Sequence, residues 1–128
     1  MATIDRSNYH YLPTGTVTFD VVLVDLGNNF DIANGEFVLP RRGNYLFMID
    51  GTLGQGSNSA MLNLMVNGET INTFSKRKDP YYHNPIIGIF SFPLHVGDVV
   101  TLENHYSNSV YVNMHYPFRF MGVWMAEL

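Results

Sequence analysis

Apolar and polar residues alternate along most of this chain, with the period of two that places successive side chains on opposite faces of a strand. The pattern predicts strands over 16–24 (TVTFDVVLV), 43–53 (GNYLFMIDGTL), 60–67 (AMLNLMVN), 69–75 (ETINTFS), 85–94 (PIIGIFSFPL), 98–106 (DVVTLENHY), 109–115 (SVYVNMH) and 118–126 (FRFMGVWMA). Breaks rich in glycine, asparagine and serine separate them: GNN at 27–29, ANG at 33–35, GQGSNS at 54–59, VGD at 96–98 and SNS at 107–109. Asn67-Gly68, between two apolar runs, is the strongest hairpin signal. No segment carries the 3.6-residue period of an amphipathic helix. Pro40 and Gly43 forbid a helix across GEFVLPRRGNYLF (35–47). Eight or more short strands at this spacing predict an all-β jelly-roll sandwich, a single domain over 1–128.

Two of these strands are apolar on both faces. In 43–53, Tyr45, Phe47 and Ile49 alternate with Leu46 and Met48; in 118–126, Phe118, Phe120 and Trp124 alternate with Met121, Val123 and Met125. A two-layer sandwich buries only one face of each sheet, so the second apolar face needs a cover, most simply another subunit.

Composition sharpens that expectation. Charged residues make up 14% of the chain, against about 25% in ordinary soluble domains. Eight tyrosines and nine phenylalanines accompany this sparse charge. The surface is therefore either rich in uncharged polar groups or partly covered by other copies. A net charge of −4 argues against a nucleic-acid partner, which clustered Lys and Arg would have to hold. With no cysteine there is neither a disulfide nor a thiolate metal site. No apolar run approaches the roughly 18–20 residues a helix needs to cross a bilayer, so membrane insertion is not expected. The opening MATIDRSNYHYL lacks the apolar core of a secretory leader.

Several of these residues form an ordered set. Phe30-Asp31, Asn34-Gly35-x-Phe37 and Pro40-x-x-Gly43-x-Tyr45-x-Phe47 are followed by Leu94-x-x-Gly97-Asp98-x-Val100-x-Leu102 and by Phe120-x-Gly122. FDVVLVDLG (19–27) precedes them. The set resembles the C1q globular domain and covers about residues 16–126. It departs from the family pattern at Met121, where a small hydroxyl residue is usual, and at Val38-Leu39, where a cysteine is often found. The 128 residues contain no collagen-like Gly-x-y stretch. The resemblance implies a C1q/TNF-type jelly roll, a homotrimer, and a secreted, extracellular protein. It resembles invertebrate-type soluble C1q-domain lectins, which read sugars in innate immunity and pattern recognition. The alternative it implies is a trimeric signalling ligand that engages a receptor through grooves between subunits.

The residues themselves offer little for catalysis. No G-x-S-x-G, H-E-x-x-H or P-loop occurs, and GQGSNS lacks the lysine and following helix of a phosphate cradle. Glu103 and His105 share a strand face, a possible metal pair, but they read first as the polar side opposite Val100 and Leu102. No cofactor is expected. Asp79 would be one carboxylate toward calcium, which gathers six to eight oxygens; some C1q domains carry calcium near the trimer axis.

A sugar site asks for polar groups, an aromatic face and, for an acidic sugar such as sialic acid, a cation. Two segments supply these. KRKDPYYHN (76–84) sets Arg77 and Lys78 beside Asp79, Tyr81, Tyr82 and His83. ENHYSNSVYVNMHY (103–116) interleaves Asn104, His105, Tyr106, Tyr111, Asn113, His115 and Tyr116. Arg42 would add a fourth cation to the 76–78 cluster if the fold brought it near. The competing reading is a solvated loop and a polar edge. Cell-surface glycans are the expected partners.

Overall fold

A computed structural model describes residues 2–4, 10–12, 14–17, 21–22, 30–31, 34–53, 59–77, 85–106, 109–112 and 118–127. Thirteen strands lie among them. The first six are short: β1 (Ala2–Ile4), β2 (His10–Tyr11), β3 (Gly15–Thr16), β4 (Val21–Val22), β5 (Phe30–Asp31) and β6 (Glu36–Val38). The long ones follow as β7 (Gly43–Leu53), β8 (Ser59–Val66), β9 (Glu69–Arg77) and β10 (Pro85–Leu94). β11 (Val99–Asn104), β12 (Val110–Val112) and β13 (Phe118–Ala126) complete the chain.

They form two antiparallel sheets. Sheet A runs β2-β12-β7-β13-β1-β4, with β10 along the other edge of β7; sheet B runs β5-β6-β11-β8-β9, with β3 also on β11. The predicted bounds of 43–53, 85–94 and 118–126 match the observed strands. Of the prediction over 16–24, Thr16 pairs in sheet B and Val21–Val22 in sheet A, while 18–20 and 23–24 lie outside the described residues. The predicted 109–115 is described as a strand only over Val110–Val112.

Burial alternates strictly along β7, with every odd-numbered residue from Gly43 to Leu53 buried and every even-numbered one half-buried. Tyr45, Phe47 and Ile49 meet Phe118 and Phe120 of β13, and all five are at most 3% exposed. Leu62, Leu64, Val100 and Leu102 close the core from sheet B. Phe47 stacks between Tyr45 and Phe120, with centroids 6.2 and 6.1 Å away. Burial raises the Tyr45 pKa, opposed by its hydrogen bond to Arg41 O and by the Arg41 charge; the hydroxyl donates to that carbonyl at 2.6 Å.

One turn carries the backbone chemistry that the sequence announced. Asn67 and Gly68 both have positive φ (51° and 83°), as a two-residue type I′ hairpin requires. Gly43 serves a different purpose from the sharp turn its position after Pro40 suggests. A Cβ there would collide with Trp124 Nε1 and Ala126 O, so glycine lets β13 lie against the start of β7.

The outer face of sheet A is apolar, as the doubly apolar strands predict. Register aligns Ile89, Met48 and Met121 in one row, and Ser91, Leu46 and Val123 in the next. Ile87 and Ile89 are 67% and 64% exposed, Val123 41% and Met125 55%. The row of Ile87, Asp50 and Arg119 bounds the patch, with an ion pair at 3.3 Å between the last two.

Candidate recognition site

Arg77 ends β9, the second arm of the Asn67-Gly68 hairpin, and lies opposite Ser59. Its side chain is exposed and joins no ion pair among the described residues. Two positions back, Ser75 faces Met61, and the His105 amide donates to Met61 O at 2.9 Å, extending the β11–β8 ladder by one residue. Strand parity then sets Arg77 and His105 on the outer face of sheet B, at one end of the sandwich. The His105 ring meets Tyr106 edge-on at 4.8 Å, and Tyr106 is 41% exposed.

Asn104 takes a different place from the one expected of a sugar-reading amide. It continues the inward parity of Val100 and Leu102 and is only 2% exposed. Its Nδ2 donates to Leu12 O at 3.0 Å. The Ser109 hydroxyl donates to Tyr106 O at 2.6 Å, and Ser109 Oγ lies 3.3 Å from Asn104 Oδ1. Asn104 is therefore a positioning residue that anchors the end of β11 and holds the following loop. Tyr111 is half-buried on the outer side of sheet A, paired to Thr52 and Tyr11. The described members of the two segments thus share an end of the molecule, while Tyr111 and the Arg77–His105 pair belong to different sheets.

Lys78, Asp79, Tyr81, Tyr82, His83, Asn113, His115 and Tyr116 lie outside the described residues. Arg42 does not join Arg77. It precedes Gly43, which pairs with Leu94, whereas Leu53, at the other end of β7, pairs with Val110. An 11-residue strand separates these ends by about 33 Å. Among the described residues no three His, Asp or Glu side chains gather as metal ligands would; Glu103 lies opposite Asn63 and Thr16.

Two features near Arg42 have no counterpart in the sequence reading. Arg41 lies over the Trp124 ring at 3.6 Å and bonds Glu127 at 3.1 Å, while Trp124 Nε1 donates to Arg42 O at 3.2 Å. Nearby, Asn67 Nδ2 donates to Asp98 Oδ1 and Asn67 Oδ1 accepts from Val99 N, both at 2.9 Å. The other Asp98 oxygen accepts from His95 N at 2.8 Å. Those two donors, His95 N–H foremost, hold the Asp98 carboxyl below its ordinary pKa. Both turns are legible as turns, but their partnership spans 31 residues and no local pattern reports it.

The motif residues now have places: Pro40 and Gly43 lead into the core strand of Tyr45 and Phe47, and Gly97-Asp98 turns the chain into Val100 and Leu102. The profile of the C1q domain family matches residues 2–124. The chain belongs to the C1q domain family. Solved structures of the same fold include the globular domain of zebrafish complement 1qA, at 19% identity and TM-score 0.75 over 99% of this chain and 98% of that one. Eiger TNF from S. frugiperda superposes with TM-score 0.72 at 10% identity, covering 99% and 92% of the two chains. Murine APRIL superposes at 0.71 with 16% identity over 97% of each. At these identities the likeness is one of fold. The C1q assignment itself makes the domain a member of a family of recognition and ligand proteins, typically non-enzymatic and extracellular.

Proposed function

We propose that this C1q domain is a secreted recognition protein that binds cell-surface glycans, acidic ones such as sialic acids included, through the 76–83 and 104–116 segments. The observation that carries this reading is the exposed Arg77 guanidinium, which has no ion-pair partner among the described residues. It shares an end and a sheet face with the exposed His105–Tyr106 pair. A guanidinium holds a carboxylate through two parallel hydrogen bonds. Adjacent aromatic faces suit the C–H patches of a sugar ring. Lys78, Tyr81, Tyr82 and His83 continue the same chain segment and supply more of both groups. The reading is non-catalytic and needs no metal.

We propose further that the domain acts as a homotrimer, with the apolar outer face of sheet A covered by neighbouring copies. Closed cyclic symmetry would present three identical sites from one rigid body. Sites that exchange protein hydrogen bonds for water are individually weak, and three together raise avidity on a dense surface by roughly 10²–10⁴.

A glycan array tests the reading. Sialylated hits that weaken in Arg77→Ala and in Tyr82→Ala, with assembly intact, are the expected result. Silence across the array would overturn it and favour the trimeric receptor ligand instead.

A further inference from the structure

At the end of the sandwich opposite Arg77, β9 and β10 border a cleft of about 500 Å³. Each is an edge among the described strands, because β9 pairs only with β8 and β10 only with β7. Val66, Ile71, Phe92 and Leu94 line the cleft with apolar surface, and Glu69 and Asp98 bring two carboxylates to it. No lysine or arginine is among its lining residues.

Neither carboxylate is paired with a lysine or arginine among the described residues; the His95 side chain, which also lines the cleft, is the one basic group of the lining that acts on Asp98. Glu69 is exposed and joins no ion pair among the described residues. Asp98 accepts one hydrogen bond on each oxygen, but both donors, His95 N–H and Asn67 Nδ2, are uncharged groups. Its negative charge is thereby held in place at the Asn67-Gly68 turn, with further lone pairs to offer. An anionic ligand would meet repulsion here, and a wholly apolar one would strip water from two carboxylates without replacing it. A long aliphatic stem ending in a cation satisfies both the floor and the rim. The free strand edges beside it offer unpaired backbone groups to an extended chain.

We propose that this cleft docks an extended, basic peptide segment of a protein partner. One lysine or arginine stem lies on Ile71 and Phe92, and its cationic head sits between Glu69 and Asp98. The site is separate from the glycan reading, since it occupies the other end of the domain and uses the opposite charge.

The test is a titration of the isotope-labelled assembled protein with the peptide acetyl-Val-Arg-Val-amide, followed by amide shifts. A matched peptide carrying neutral citrulline in place of arginine serves as the reference. The expected result is saturable shifts at Glu69, Ile71, His95 and Asp98, with citrulline binding at least about fivefold weaker. Glu69→Gln should weaken the arginine peptide at least about threefold, and Glu69→Lys should abolish its binding. Glu69 is exposed, so both variants are expected to keep the parent spectrum; if the lysine variant does not, the glutamine variant decides. Absence of shifts at these four residues, equal binding of the citrulline peptide, or indifference to Glu69→Gln would each overturn the proposal.

Discussion

Replacing Ile89 probes the proposed subunit face without disturbing the core. Its side chain stands on the outer face of sheet A, beside Met48 in the row that continues to Met121, and is 64% exposed in the single subunit. Burying an isoleucine fully contributes about 1.5–3 kcal/mol. Covering the exposed share in a trimer therefore contributes about 1–2 kcal/mol per copy, or about 3–6 kcal/mol per assembly. At about 1.4 kcal/mol per factor of ten, Ile89→Ala should lower the overall association constant by about two to four powers of ten. Ile89→Glu goes further, because it also places an unpaired carboxylate against the apolar rows. The monomer's circular dichroism should hardly change in either variant. Ser75→Glu, a charge on the exposed outer face of sheet B, is the matched control. Analytical ultracentrifugation across a dilution series reads the outcome: parent and control as trimers, Ile89→Ala dissociating at higher concentration, Ile89→Glu a monomer near 14.5 kDa. A parent that sediments as a monomer, or an Ile89→Glu variant that assembles like it, would refute the reasoning.

Other consequences follow from single contacts. Gly43→Ala should cost about 1–3 kcal/mol in urea unfolding and shift the tryptophan emission, since the new methyl collides with Trp124 Nε1 and Ala126 O. Asp98 has a depressed pKa in the folded chain, so its contribution is complete above the unfolded value, near pH 4, and is lost as the pH falls through the folded one. The urea midpoint of the parent should thus fall more steeply below about pH 4 than that of Asp98→Asn; parallel curves would contradict the assignment. Arg41→Ala removes a cation 3.6 Å from the Trp124 ring and should cost only about 0.5–1 kcal/mol by the same assay.

The long strands were legible because alternation and burial obey the same parity. Tyr45, Phe47 and Ile49 read as core and are core, and Asn67-Gly68 reads as a hairpin and has the required dihedrals. The short β1, β2 and β5 were not legible, since two or three residues are too few to show a period. Asn104 illustrates a deeper limit. Within ENHYSNS it looks like one more polar amide at the end of the predicted strand 98–106, and only its burial and its bond to Leu12, 92 residues away, reveal a structural role. Arg42 and Arg77 could not be separated by sequence either, because their distance depends on which end of β7 each one adjoins. The cleft between β9 and β10 is assembled from turns that no local motif connects.

The most direct test of glycan recognition is surface plasmon resonance of the assembled protein on sialylated glycans, beside the same glycans stripped of sialic acid. Parent and Arg77→Ala should be measured at equal trimer concentration. The account predicts reversible binding to the sialylated surface, weakened at least about tenfold both by removal of the acid and by Arg77→Ala. No binding by the parent, or equal binding by Arg77→Ala, would contradict it.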